Sequence, residues 1–223
     1  AQEVKGEALE YHEMWFEEKN HSIRSVHTDP RKLNEAAEKL KLSKQPIIRA
    51  GGGILYSEAE KELSDFAKKH NIPVTPTVMG IGCMTKDDPY YLGSIGCLGE
   101  GSSNSLSKDT DLALAIGTKL GDFTTGSWSN FQNKDFKLVS INTARFDVTK
   151  HLATPVISDA KIGLLELSKA LGDWRAPNKW YERSIDERKK WDSYVEKQSG
   201  PTNQELPSYA HAVGAVYRNA DPS

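Results

Sequence analysis

The sequence has 223 residues, with 29 Lys and Arg against 31 Asp and Glu and a formal net charge of −2. A chain of this length buries about 70% of its unfolded surface, so it needs no disulfide scaffold, and the near-neutral balance excludes a strongly basic nucleic-acid or membrane-surface binder. Two cysteines, Cys83 and Cys97, without CxxC spacing exclude a Cys-rich zinc site or a redox motif, and both read as buried small hydrophobes. The first seven residues lack the basic start and apolar stretch of a secretory signal, and no apolar run approaches the roughly 18 residues of a membrane span. These features predict a soluble chain in a reduced, cytoplasmic setting with neither nucleic acid nor membrane as partner. A first residue that is not Met, and an ending directly after a helical pattern, predict a piece of a longer polypeptide.

Residues 1–28 carry charge and aromatics without sustained periodicity and read as an incoming linker. At Asp29-Pro30 an N-cap residue precedes a proline at the first helical position, and Leu33, Ala36, Ala37 and Leu40 recur at helical spacing. Pro46 to Ala50 is a short strand that runs into Gly51-Gly52-Gly53. Ser57 and Glu60 then have capping-box spacing, which predicts a helix over about 57–70. Pro73 to Thr77, Asp111 to Gly117, Lys137 to Asn142 and Thr154 to Ser158 are further strand candidates. Their continuous rather than alternating apolar character implies burial on both faces, as in a parallel sheet covered by helices on each side. Six glycines between Met79 and Lys108 predict loops and a short helix at one rim of that sheet, and Ile162 to Leu171 supplies a closing helix. A charged, Trp- and Tyr-bearing helix over Pro177 to Gln198 reads as a bridge, and a last helix covers Pro207 to Asn219. The fold class is α/β, a Rossmann-like, mainly parallel sheet. The domain reading is a linker at 1–28, a central domain at 29–172, an outgoing helical linker at 173–205 and the start of another domain at 206–223.

Ligands of open parallel sheets bind beyond the carboxyl ends of the strands. A strand ending in three glycines before a helix can bring an anion close to backbone amides, which makes Gly51, Gly52 and Gly53 candidate binding residues. The competing reading is a tight turn that needs positive φ. The triplet is neither GxGxxG nor a Walker sequence. The loop after the most apolar strand, Gly117 to Trp128, adds Thr118 and Lys119 as groups able to reach an anion from the neighbouring rim. Its hydroxyls and Asp122 could equally satisfy backbone groups of a long loop. No histidine stands at metal-ligand spacing, no metal ligand is assigned, and His70 reads as a cation at a helix C-terminus. Trp180 and Trp191 read as domain packing rather than a base-stacking surface. No catalytic residue is assigned.

The ordered segments Pro46 to Gly53, Thr77 to Gly82, Gly93 to Gly96, Asp111 to Gly117 and Ser158-Asp159-Ala160 resemble the central domain of thiamine-diphosphate-dependent enzymes over about residues 30–172. That resemblance implies a DHS-like, NAD/FAD-binding type of domain. Within that superfamily, Gly117 to Trp128, Ile141-Asn142 with Phe146-Asp147 and Lys150-His151, and Glu7 to Tyr11 are most similar to the trihydroxycyclohexanedione hydrolases of myo-inositol catabolism, with acetolactate synthases next. The resemblance implies a homo-oligomeric parent enzyme that hydrolyses a C–C bond using thiamine diphosphate and magnesium. Its partners would be the pyrimidine-binding and diphosphate-binding domains of the same polypeptide, and the segment itself would be inactive. Neither Gly121-Asp122-Phe123 nor Gly172-Asp173-Trp174 is the magnesium motif of those enzymes. In acetolactate synthases the central domain binds FAD. Lys119, Leu98 and Asn142 depart from the Arg, His and Asp of that pattern, which argues against FAD here. Arg49 replaces an apolar residue, which predicts that one end of its strand is exposed or faces a partner domain.

Overall fold

The structure, a computed structural model, describes residues 25–220. Five strands, β1 (Pro46–Ala50), β2 (Val74–Pro76), β3 (Leu112–Ile116), β4 (Lys137–Asn142) and β5 (Thr154–Ile157), form one sheet in the order β2-β1-β3-β4-β5. Every pairing is parallel, as the continuous apolar runs imply. Alternate side chains feed two cores. One face carries Ile48, Leu112, Leu114, Ile116, Val139, Ile141 and Val156, all buried. Against it pack α1 (Pro30–Leu42), α3 (Glu60–His70) and α7 (Ala160–Leu171), through Leu40, Leu63, Phe66, Leu164 and Leu167. The other face carries Ile47, Ala113, Ala115 and Leu138, and is covered by α4 (Gly101–Asp109) through Leu106 and by α8 (Asn178–Ser199) through Trp180. Each fully buried Leu or Ile contributes about 1.5–3 kcal/mol, so this two-sided packing is the main source of stability.

The helix ends follow from local chemistry. Asp29 caps α1 by accepting from Arg31 N at 2.8 Å, and Asp159 caps α7 by accepting from Lys161 N and Ile162 N. α8 lies on the domain along much of its length. Trp180 Nε1 donates to Pro46 O at 2.7 Å, and the Trp191 ring lies against Gly101, where a Cβ would come within 2.6 Å of it. Arg188 pairs with Glu100 at 3.2 Å. The final helix, α9 (Tyr209–Asn219), is capped by Ser208 and leaves Tyr209, Val213, Val216 and Tyr217 exposed. The linker expected at 1–28 lies almost wholly outside the described residues. Among the described residues no helix is long and apolar enough to cross a membrane.

Four expectations need correction. The helix expected over 57–70 begins only at Glu60, as α3, and a separate single turn, α2 (Gly53–Tyr56), precedes it; Ala59 is the N-cap of α3, with no side-chain cap bond. Ser57 makes no capping box because its hydroxyl donates to Asp159 Oδ2 at 2.7 Å, across the rim. Cys97 is exposed in a rim loop, whereas Cys83 is buried and its thiol is pushed up to about 12 by desolvation. Arg49 is neither exposed nor at an open strand end; its side chain is completely buried, with the guanidinium 4.2 Å from the centre of the Phe131 ring. Such stacking is worth about 0.5–2 kcal/mol.

His70, the fourth, is not a solvated cation at a helix end. It is buried, with Nδ1 2.7 Å from Trp174 O and Nε2 3.0 Å from Ser168 Oγ. The Trp174 carbonyl can only accept, so Nδ1 carries the proton and Nε2 accepts from the serine. Desolvation holds the imidazole below its ordinary value of 6.5. The unfolded chain therefore binds this proton more readily than the folded one. Stability from this site is fully present above the unfolded value and is lost as pH falls below it. Urea denaturation of the chain should show stability falling from pH 7.5 to 5.5 more steeply than in His70→Gln; equal slopes would show that His70 does not titrate on unfolding.

Candidate functional site

The strand order reverses between β1 and β3: the chain leaves β1 for β2 on one side and proceeds from β3 to β4 and β5 on the other. At such a switch point the connections diverge and leave a crevice beyond the strand ends. A cleft of about 810 Å³ opens there. It is lined by the residues after β1 (Gly52, Gly53, Tyr56, Ser57), after β2 (Thr77 to Met79), after β3 (Gly117 to Gly121), after β4 (Asn142 to Ala144) and after β5 (Ser158, Asp159).

The glycines shape this crevice by close backbone approach. Gly51 N donates to Ile116 O at 2.8 Å and Gly53 N to Gly117 O at 3.0 Å. A Cβ on Gly51 would lie 2.3 Å from Gly117 O, and one on Gly53 would lie 2.6 Å from Gly117 Cα. None of the three has positive φ; the left-handed residue of the contact is Gly117, at φ 59°. The positive-φ reading of the triplet therefore does not hold. The turn is tight because two backbones touch, and two of its three amides are already bonded to carbonyls. Gly52 and Gly53 both line the cleft, and Gly52 lies near Met79 and Tyr56. The helix after the turn is the single-turn α2 rather than a long capped one.

The structure brings Gly52, Gly53, Thr118 and Lys119 to one cleft, and Gly51 is buried and does not line it. Thr118 is nearly buried and its Oγ1 accepts from Leu120 N at 3.3 Å. Lys119 is exposed and makes no ion pair among the described residues. Asn142 locks two connections together, donating from Nδ2 to Thr118 O at 3.1 Å and accepting at Oδ1 from Ala144 N at 2.9 Å. The cleft's two carboxylates are also engaged. Asp159 caps α7 and accepts from Ser57, and Asp147 pairs with Lys150 at 2.6 Å. The exposed side chains of Tyr56, Val78, Met79 and Phe123 make part of the wall apolar. With its carboxylates tied into the walls and one unpaired ammonium at the mouth, the cleft offers a binding surface for a partly apolar anion. Sequence reading missed Tyr56, Met79 and Asp159 as lining residues. Only Asp159 left a signal, in the N-cap spelling Ser158-Asp159-Ala160.

A family model described as thiamine pyrophosphate enzyme, central domain, matches residues 33–167. The chain belongs to that family. Its curated relatives include proteins named 3D-(3,5/4)-trihydroxycyclohexane-1,2-dione hydrolase. That of Clostridium perfringens (strain 13 / Type A) is 34% identical over 196 residues, 88% of this chain and 31% of the relative. That of Bacillus anthracis is 32% identical over 227 residues, 96% of this chain and 35% of the relative. That of Clostridium botulinum (strain Alaska E43 / Type E3) is 40% identical over 170 residues, 76% of this chain and 26% of the relative. The chain thus spans about a third of the length of the first of these relatives.

The family name implies thiamine diphosphate. Among the described residues no group of three His, Cys, Asp or Glu could hold a metal ion. Asp122 opens the four-residue helix α5 (Asp122–Thr125) and Asp173 lies in the turn after α7, each without an acidic partner for a shared cation. The described residues do not fit that group.

A Cβ on Gly51 would meet Gly117 O at 2.3 Å, whereas one on Gly52 would meet Met79 O at 3.0 Å, so their alanine variants should differ. Overpacking costs about 1–3 kcal/mol. Urea denaturation should show Gly51→Ala destabilised by about that much and Gly52→Ala clearly less; equal losses would contradict the close-approach account.

Proposed function

We propose that this chain is the middle part of a thiamine-diphosphate- and magnesium-dependent hydrolase that opens the ring of a trihydroxycyclohexane-1,2-dione, a C–C bond hydrolysis in myo-inositol catabolism. The observation that carries the reading is alignment at 32–40% identity over most of this chain with relatives named for that reaction. In this reading the segment supplies no catalytic residue. The cofactor and magnesium are held by pyrimidine-binding and diphosphate-binding domains of the same polypeptide, the whole protein is a homo-oligomer, and it works in the cytoplasm. The domain reading of 29–172 as the central unit, flanked by linkers and followed from 206 by the start of the diphosphate-binding domain, belongs to the same proposal.

The rim cleft has a part in this proposal. We place an anionic group there, held by the Lys119 ammonium, the Thr118 hydroxyl and the amide of Gly52, with Gly51 and Gly53 keeping the two backbones close enough for the three to converge. One exposed helix-terminal or amide dipole contributes about 0.3–1 kcal/mol to an anion, so Lys119 supplies the charge on which such binding depends. An FAD role is not favoured, because Asn142 uses both ends of its side chain to join two loops and offers no acidic acceptor to a ribose.

The direct test assays the full-length polypeptide, with thiamine diphosphate and magnesium, on trihydroxycyclohexane-1,2-dione and, separately, on pyruvate. Loss of the cyclic diketone with no condensation of pyruvate is the expected result. Formation of acetolactate without diketone cleavage would replace this reading by that of an acetolactate-synthase-like carboligase.

A further inference from the structure

Four of the five buried side-chain polar atoms that lack a hydrogen-bond partner among the described residues belong to two residues: Arg49 Nε, Nη1 and Nη2, and Ser140 Oγ. The register puts these two in one row on one face of the sheet. Arg49 of β1 pairs with Ala115 of β3, and Ala115 pairs with Ser140 of β4. Ala115 between them is a methyl group, so the row has a long cation at one end, a hydroxyl at the other and little bulk in the middle. The remaining hydroxyl of the row, on Thr75, is satisfied by Ile48 O at 2.9 Å.

A guanidinium stays protonated in proteins, and a buried charge without a counter-charge is among the most costly features a core can hold. Phe131 covers the face of the Arg49 guanidinium at 4.2 Å. A ring stacked on the face accepts none of the N–H groups, which all lie in the guanidinium plane. No carboxylate among the described residues pairs with Arg49. Arg49 is wholly buried and does not line the rim cleft, so a large oxyanion in that cleft does not reach it.

We propose that the row Arg49, Ala115, Ser140 holds a small monovalent anion, chloride in size and charge, between the sheet and the Phe131 segment. Such an ion accepts in-plane N–H bonds from Arg49 and the Ser140 hydroxyl at once. It neutralises the buried charge and lies over Ala115, the smallest side chain of the three. The site is separate from the rim cleft and does not depend on the proposed hydrolase activity.

The test is thermal unfolding of the 223-residue chain at constant ionic strength, with chloride against gluconate, which is too large to enter. Chloride should raise the midpoint of the wild-type chain by about 2–4 °C. Arg49→Met, which keeps most of the volume without the charge, should show no difference between the two salts, and Ser140→Ala should show a reduced one. A wild-type midpoint indifferent to chloride, or an equal shift in Arg49→Met, would overturn the proposal. Should Arg49→Met fail to fold, crystals of the wild-type chain grown in bromide decide the matter. An anomalous peak within hydrogen-bond reach of Arg49 and Ser140 is expected, and density for water alone contradicts the assignment.

Discussion

The contact between the turn after β1 and the turn after β3 is the constraint on which the rest of this molecule depends. Gly51 and Gly53 donate to the carbonyls of Ile116 and Gly117, and no side chain fits between the two backbones. Because β1 and β3 are the strands at which the sheet order reverses, this contact sets how closely the floor of the crevice is drawn together. The remaining connections then close around it. Asn142 ties the β4 loop to Thr118, and Ser57 ties the β1 loop to the N-cap of α7. The result is a rim whose polar groups mostly hold one another, with Lys119 unpaired and the amide of Gly52 making no backbone bond among the described residues.

This arrangement separates two roles that a glycine-rich turn can combine. In a phosphate cradle, successive amides point at the ligand. Here two of three amides are consumed by the protein itself, and the glycines serve proximity. The cleft is accordingly better suited to contribute one charged contact to a larger ligand or a neighbouring domain than to bind an anion tightly alone. That accords with a chain spanning about a third of relatives whose names denote a complete reaction.

The parts of this structure legible in the sequence are those governed by local periodicity. The uninterrupted Leu112-Ala-Leu-Ala-Ile116 run could only be a strand covered on both faces, and Asp29-Pro30 fixed the start of α1 within its own turn. What escaped was decided by partners far along the chain. Ser57 fails to cap the next helix because Asp159, 102 residues away, offers its hydroxyl a better acceptor. His70 is neutral because the turn at Trp174 folds back over it, and Arg49 is buried because Phe131 covers it. The positive φ that a tight turn at Gly51-Gly52-Gly53 suggests lies instead on Gly117, and the close approach of Gly117 that excludes a Cβ from Gly51 and Gly53 has no local spacing to announce it.

The measurement that tests this account most directly is amide hydrogen exchange of the three turn glycines, followed by NMR with and without inorganic phosphate. The account predicts slow exchange at Gly51 and Gly53, whose amides are bonded to Ile116 and Gly117, with fast exchange at Gly52 and a phosphate-dependent change confined to Gly52 and Lys119. Fast exchange at all three amides, slowed together by phosphate, would show that the turn is an anion cradle and that the backbone contact between β1 and β3 does not organise the site.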